Sequence, residues 1–254
     1  MNFDLPTTQL IAIFLGSARA GAWLMLCPPF NSRLIPAQAK VLLSIGIALP
    51  MVPFLTPAVP SLETSAIIFA TLMQVFVGAA LGFVTYLLYA AVQAAGDLID
   101  VFGGFTLASA YDPLSQNQSS IFGRFYNLVA ATLLFATDGH QLVLRGFMQS
   151  YETLPLDASF SLETFNNLLV RGVGEMFVSA LQIAGPLIAV LFLTDVAFGL
   201  LNRVAPALNA FQLGFPAKIM LVLVLSGTAI TILPGVLSDI VDRAVSAVVQ
   251  LSGG

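Results

Sequence analysis

Two carboxylates, Asp97 and Asp100, stand three residues apart in the stretch GDLID. At that spacing both lie on one face of a helix. In apolar surroundings such a pair has the makings of a proton or cation site. A helix end that emerges into water or pairs with a neighbouring subunit's base explains it better. Asp138-Gly139-His140 holds the atoms of an acid–base pair, but a turn that ends a helix explains it better. His140 is the single histidine and Cys27 the single cysteine, so the chain has no His-pair metal motif, no cysteine cluster and no internal disulfide. Gly-x-Ser-x-Gly, Walker, His-Glu-x-x-His and Cys-x-x-Cys patterns are absent. The sequence therefore predicts no enzyme, no cofactor and no bound metal.

What must position these residues is apolar chain. Of 254 residues 58% are hydrophobic and 9% charged, where soluble domains carry about 25% charged residues. Such an inventory cannot build a water-facing surface. Long unbroken apolar runs satisfy their own backbone in lipid only as helices, and the short alternating segments of a barrel are not seen. The predicted class is all-α and of integral-membrane type, with long kinked helices and helical hairpins. A net charge of −4 without a basic stripe offers nothing to nucleic acid. The start MNFDLPTTQL lacks a basic region, and Arg19 interrupts the first apolar run, which points to a retained first helix.

Charge-free intervals at 5–18, 20–32, 41–62, 64–96, 125–137, 176–194 and 219–238 mark the candidate spans. A hydrocarbon core of about 30 Å needs around 20 helical residues. Interval 64–96 has 33, about 50 Å as one helix, so it either kinks or extends beyond a bilayer into protein. Interval 125–137 is too short to span. Arg19, Asp97, Asp100, Arg124 and Asp195 sit inside or at the ends of apolar segments, where charges face protein or water rather than lipid. These lengths suggest a subunit buried among other hydrophobic subunits, or else six or seven spans with loose boundaries. Arg33 and Lys40 flank one turn and Arg203 and Lys218 another; if both are cytoplasmic, both termini lie outside and a helical hairpin closes the chain. Ser161-Leu-Glu-Thr164 opens a short amphipathic helix in a polar region. Gly78 and Gly82 form a Gly-x-x-x-Gly step that permits close helix approach. Pro50, Pro53, Pro57 and Pro60 break or kink the second span.

The run GGFTLASAYDPLSQNQSS, 103–120, is the polar exception. Gly103-Gly104-Phe105 allows a tight turn, Asp112-Pro113 favours a turn start, and the Ser115, Gln116, Asn117, Gln118 series cannot bury an apolar face. Irregular backbone at membrane depth survives only inside protein or beside a water-filled cavity. The run either lines or blocks an aqueous route, or is an exposed connection.

Three blocks in order carry a family resemblance: QAAGDLIDVFGGFTLASAYDP at 93–113, LFATDGHQLVLRGFMQSYETLPL at 134–156 and DVAFGLLNRVAPALNAFQLGFPAK at 195–218. Together they resemble the FliR family, the export-gate subunit of flagellar type III secretion, shared with injectisomes; the motifs lean flagellar. The resemblance implies one such subunit assembled with several FliP-type and FliQ-type subunits in the inner membrane at the flagellar basal body. Much of that assembly sits above the membrane plane, with an FlhB-type subunit on the cytoplasmic side and unfolded flagellar proteins as cargo. It implies a FliP-like part at 1–175 and a FliQ-like hairpin and tail at 176–254. It also implies that the loop projects into the channel as a plug, here Gly103, Gly104, Phe105, Tyr111, Asp112, Pro113, Ser115, Gln116, Asn117 and Gln118. Phe105 and Tyr111 would supply apolar seals. At the hairpin tip Arg203, Pro206, Asn209, Gly214, Phe215, Pro216 and Lys218 match, with Arg203 either an anchor for the FlhB-type partner or a snorkelling charge. The alternative is a stand-alone transporter or small channel using Asp97 and Asp100, although the two halves show no convincing internal repeat.

Overall fold

The computed structural model describes residues 6–32, 34–106, 120–157, 160–206 and 210–252, and every regular element among them is helical. Helix α1 (Thr7–Leu26) follows Pro6 and stops at Cys27, which turns extended ahead of Pro28 and Pro29. It passes straight through Arg19, joining the two intervals that the charge had separated. Helix α2 (Ala37–Ala48) continues as a 3-10 turn (Leu49–Met51), the short α3 (Val52–Leu55) and a second 3-10 turn (Thr56–Ala58). Each new piece carries a proline in its first two positions, where the missing N–H costs nothing. The prolines therefore segment this span without ending it.

Helix α4 (Thr64–Gly103) has 40 residues, about 60 Å at 1.5 Å per residue. It runs past Asp97 and Asp100, seven residues beyond the charge-free interval. Next come α5 (Ile121–Ala136) and α6 (Gly139–Thr153), separated at Asp138, which adopts the left-handed conformation with φ 57°. Helices α7 (Leu162–Val204) and α8 (Ala210–Leu251) have 43 and 42 residues. Ser161 caps the former by accepting the Thr164 N–H at 3.2 Å. The expected short amphipathic helix is thus the first turn of a much longer one, because the apolar pattern resumes beyond Glu175 and the helix runs on through Pro186.

Two compact units divide the chain: Met1–Leu88, Asp138–Val173 and Ile240–Gly254 in the first, Tyr89–Thr137 and Gly174–Asp239 in the second. In the first unit α1 is held on several sides. Ideal Cβ atoms on Gly78 and Gly82 of α4 would collide with the α1 backbone at Arg19 and Trp23, so these two glycines set the approach of the helices. On another side Gly16 lies against Leu55 and Ala48. The Trp23 ring stacks on Phe147 of α6 at 4.3 Å.

Arg19 is fully buried in this unit. Its Nε donates to Gln74 Oε1 at 2.6 Å, and its two terminal nitrogens donate to the carbonyls of Ser150 and Leu154 at 2.9 and 2.8 Å. Those carbonyls belong to the C-terminal end of α6, the negative pole of that helix, which favours a cation. The guanidinium also lies 4.7 Å above the Tyr151 ring. Burial pushes the Tyr151 phenol up from its ordinary value, opposed by Arg19, so the hydroxyl stays protonated and donates to Gly16 O at 2.7 Å.

In the second unit α4 and α5 cross at Gly96 and Gly123. A Cβ on Gly96 would reach the Phe122 carbonyl at 2.5 Å. Within it α7 and α8 form the expected hairpin, with Gly214 set against the Phe198 ring.

Among the described residues four segments are long and apolar enough to cross a membrane: Thr7–Leu26, Ala37–Ala58, Thr64–Gly103 and Leu162–Val204. A bent pair within α8, Gln212–Gly227 and Ile230–Leu251 at 58°, adds a fifth when the two pieces are taken as one span, and is otherwise a re-entrant loop. Only 22% of the apolar window in Ala37–Ala58 is buried within the chain. Its side chains require lipid or other protein around them.

Candidate functional site

Gly104 is the one described glycine with a positive φ, 82°. Its N–H donates to Val101 O at 3.3 Å, and the next N–H, of Phe105, donates to Asp100 O at 3.0 Å. A residue in the left-handed conformation with these two bonds is a Schellman cap, which closes α4 and satisfies its last carbonyls. Glycine is required there because a side chain would be strained at this φ. The two glycines differ: Gly103 remains helical and buried, with Val222 of α8 in the space a side chain would need.

On the far side of the polar run, Ser120 caps α5 by accepting the Gly123 N–H at 2.7 Å. The same hydroxyl donates to Asp100 Oδ2, which also accepts the Phe122 N–H at 3.0 Å. Asp100, only 2% exposed, therefore ties the end of α4 to the start of α5. Its second oxygen and one oxygen of Asp97 are buried without a hydrogen-bond partner among the described residues. Both carboxylates do share one side of α4, facing the N-terminus of α5, whose positive pole favours them. The Phe105 ring packs edge-on against Phe122 at 5.3 Å, adding an apolar contact across the same junction.

Helix α8 reaches this junction as well. Lys218 Nζ pairs with Asp195 Oδ1 of α7 at 2.5 Å and lies 3.4 Å from the Phe102 carbonyl at the end of α4. Two charges read separately, one as an intramembrane or interface charge and one as a tip residue, thus form a single bridge. The tip itself is shorter than the sequence suggested. Only 205–209 separates the helices, so Arg203 lies in the last turn of α7, and Gly214, Phe215, Pro216 and Lys218 lie inside α8. Arg203 and Pro206 are exposed, and Arg203 is well placed to favour its helix's negative pole. Arg124 is exposed on α5.

Tyr111, Asp112, Pro113, Ser115, Gln116, Asn117, Gln118 and Asn209 lie outside the described residues. Sequence reasoning missed Ser120 as a cap, although a serine just before the apolar run IFGRF is an ordinary helix-start signal. It also missed Gln74, Ser150 and Leu154 around Arg19, for which no local signal exists. Among the described residues no group of three or more His, Cys, Asp or Glu side chains is placed to hold a metal.

Residues 10–244 match the family described as bacterial export proteins, family 1. The chain is similar to the flagellar biosynthetic protein FliR of Pectobacterium carotovorum subsp. carotovorum, 30% identical over 235 residues that cover 91% of this chain and 90% of that protein. It is similar to the protein of that name from Bacillus subtilis (strain 168), 32% identical over 213 residues, 82% of each chain. With the namesake of Escherichia coli (strain K12) it shares 29% identity over 202 residues, 78% of this chain and 76% of the other. Matched in this way over most of its length, the chain belongs to the FliR family, family 1 of the bacterial export proteins.

Proposed function

We propose that this chain is a non-enzymatic gating subunit of the flagellar protein-export apparatus in the inner membrane, and that the segment between α4 and α5 plugs the closed route. The observation that carries the reading is the base of that segment. The polar run leaves α4 through a glycine cap, enters α5 through a serine cap, and has both ends tied to one buried carboxylate. A segment presented from so narrow a foot, on helices that are otherwise apolar, suits an obstruction in a water-filled passage. Export as the business of the family, and the names of its flagellar relatives, support the same reading.

In this reading one copy assembles with several FliP-type and FliQ-type subunits, which cover the apolar sides that α2 and α4 leave exposed at Leu42 and Phe69. Residues 1–175 are the FliP-like part and 176–254 the FliQ-like part. Part of the assembly stands on the periplasmic side, and unfolded flagellar proteins pass through. Asp100, already engaged as a cap, serves structure in this scheme rather than ion coupling.

Deletion of 104–119 tests the proposal. The particle containing the co-expressed FliP-type and FliQ-type subunits is expected at its parental yield, while passive entry of a small solute into non-secreting cells rises severalfold. A membrane as tight as before would remove the plug assignment, and a small homomeric particle would remove the multi-subunit gate. Arg203, exposed beside the hairpin tip, is assigned to the FlhB-type partner. Arg203→Ala should reduce co-purification of that partner by at least half, and undiminished recovery would return Arg203 to a simple helix-end charge.

A further inference from the structure

Helices α1 and α2 turn large apolar side chains outward, but α6, packed beside α1, does not. We infer that the exposed stripe of α6, made of Gln141, Arg145, Gln149 and Glu152, lines the aqueous passage and meets the unfolded polypeptide in transit. This rests on the gate reading and deepens it by naming a wall of the passage.

Three observations carry it. First, at about 100° per residue the four positions fall within about 80° of the helix circumference. Val143, Gly146, Phe147, Ser150 and Tyr151, on the opposite side, are buried, so α6 has one wet side. Second, that side lies at the depth of a span. The Tyr151 hydroxyl donates to Gly16 O, Arg19 donates to the Ser150 carbonyl, and Trp23 stacks on Phe147. Helix α6 therefore runs antiparallel along α1, which is long and apolar enough to cross a membrane. Gly16 is the tenth of the 20 residues of α1, so Gln149 and Glu152 sit near the middle of that length and Arg145 nearer its end. Charged side chains at such a depth face water or protein, not lipid. Among the described residues neither Arg145 nor Glu152 has an ion-pair partner, so water solvates both. Third, α1 and α2 expose Phe14, Met25 and Leu42, sides that suit lipid or neighbouring subunits and leave the stripe as the side turned to water. Its chemistry also fits transit. Two amides and one charge of each sign make neither an apolar patch nor a net field, so a passing chain is held weakly enough to leave.

Single cysteines at Gln141, Arg145 and Gln149 test the lining in the full chain, assembled with its partner subunits in membrane vesicles. Cys27, the single native cysteine, is fully buried and stays silent. A small membrane-impermeant thiol reagent is applied to both faces, first with the passage empty. It is applied again with an exported protein arrested in the passage by a fused, stably folded domain. Gln149→Cys is expected to react in the empty particle and severalfold more slowly in the occupied one. It should also form a disulfide with a cysteine placed in the arrested polypeptide. Arg145→Cys and Gln141→Cys should behave alike, and Arg145→Cys decides if Gln149→Cys fails to assemble. Leu42→Cys, exposed on α2, should resist the reagent in both states. Reaction at one rate whether or not the passage is occupied would place the stripe on an outer aqueous surface and overturn the lining. No reaction in the empty particle would place it against lipid or another subunit and overturn it as well. A multi-subunit particle whose stripe ignores the arrested chain removes the lining alone, whereas a small homomeric particle removes the gate reading beneath it.

Discussion

Gly78→Leu is expected to abolish recovery of folded chain, and Gly78→Ala to lower its thermal midpoint. An ideal Cβ at position 78 would lie 2.9 Å from the carbonyl carbon and 3.0 Å from the Cα of Arg19, besides striking its carbonyl oxygen. Carbon atoms separate comfortably at about 3.5–4.0 Å, and the atoms in the way are backbone, which no rotamer change can move. Helix α1 would have to back away from α4 as a body. That shift would also pull Arg19 from Gln74, one helical turn before Gly78 on α4. Overpacking of this kind costs about 1–3 kcal/mol even for one methyl group, more than the roughly 1 kcal/mol that alanine returns as the better helix former. A net loss of about 2 kcal/mol would lower the midpoint by about 4–8 °C in a chain of this size. Gly46, with nothing within 4 Å of its added Cβ, is the control, and Gly46→Ala should hold or raise the midpoint. Thermal unfolding of the detergent-solubilised full chain measures both. Equal midpoints for Gly78→Ala and the parent would mean that this glycine seam does not set the approach of the helices.

The second large effect is expected at Arg19. Lysine there keeps the charge but brings one ammonium where a planar fork met three separate acceptors. Methionine keeps the bulk but takes the donor from Gln74 Oε1 and from the Leu154 carbonyl, while the Ser150 carbonyl keeps only the Leu154 N–H. Stranding a buried acceptor costs roughly 1–3 kcal/mol, so Arg19→Met should lose several kcal/mol and Arg19→Lys somewhat less. The damage should begin at the end of α6, whose Ser150 and Leu154 carbonyls the guanidinium holds. Amide exchange around 150–156 should therefore accelerate before that of α1. Protection unchanged in that stretch would show that the cation does not anchor α6.

Both effects turn on features that were unequally visible in the chain. The Gly-x-x-x-Gly step at Gly78 and Gly82 was legible because small residues four apart on an apolar helix mean close approach wherever they fall. The partner helix was not, since nothing local names it. Arg19 showed the opposite pattern. Charge alone split α1 in two on paper, yet the helix continues because its acceptors lie 55 to 135 residues away. The end of α4 slipped for the same reason. Asp97 looked like the exit from the apolar zone, but the acids find the N-terminus of α5 and the helix ends at the Gly104 cap. The charge-free stretch of α4, the all-α class and the closing hairpin could be read directly, since they follow from hydropathy and length. The meeting of Lys218, Asp195 and the end of α4 could not, because it depends on how α7 and α8 pack in the second unit.

The tie between Asp100, Ser120 and Phe122 has one further consequence, for engineering. Where two helix ends are fixed to each other independently of the chain strung between them, the length of that chain is nearly irrelevant to the helices; doubling a flexible loop costs only about 0.6 kcal/mol. The site is thus a natural port for a foreign peptide, such as an epitope or a fluorophore-binding tag, while the surrounding scaffold keeps its register.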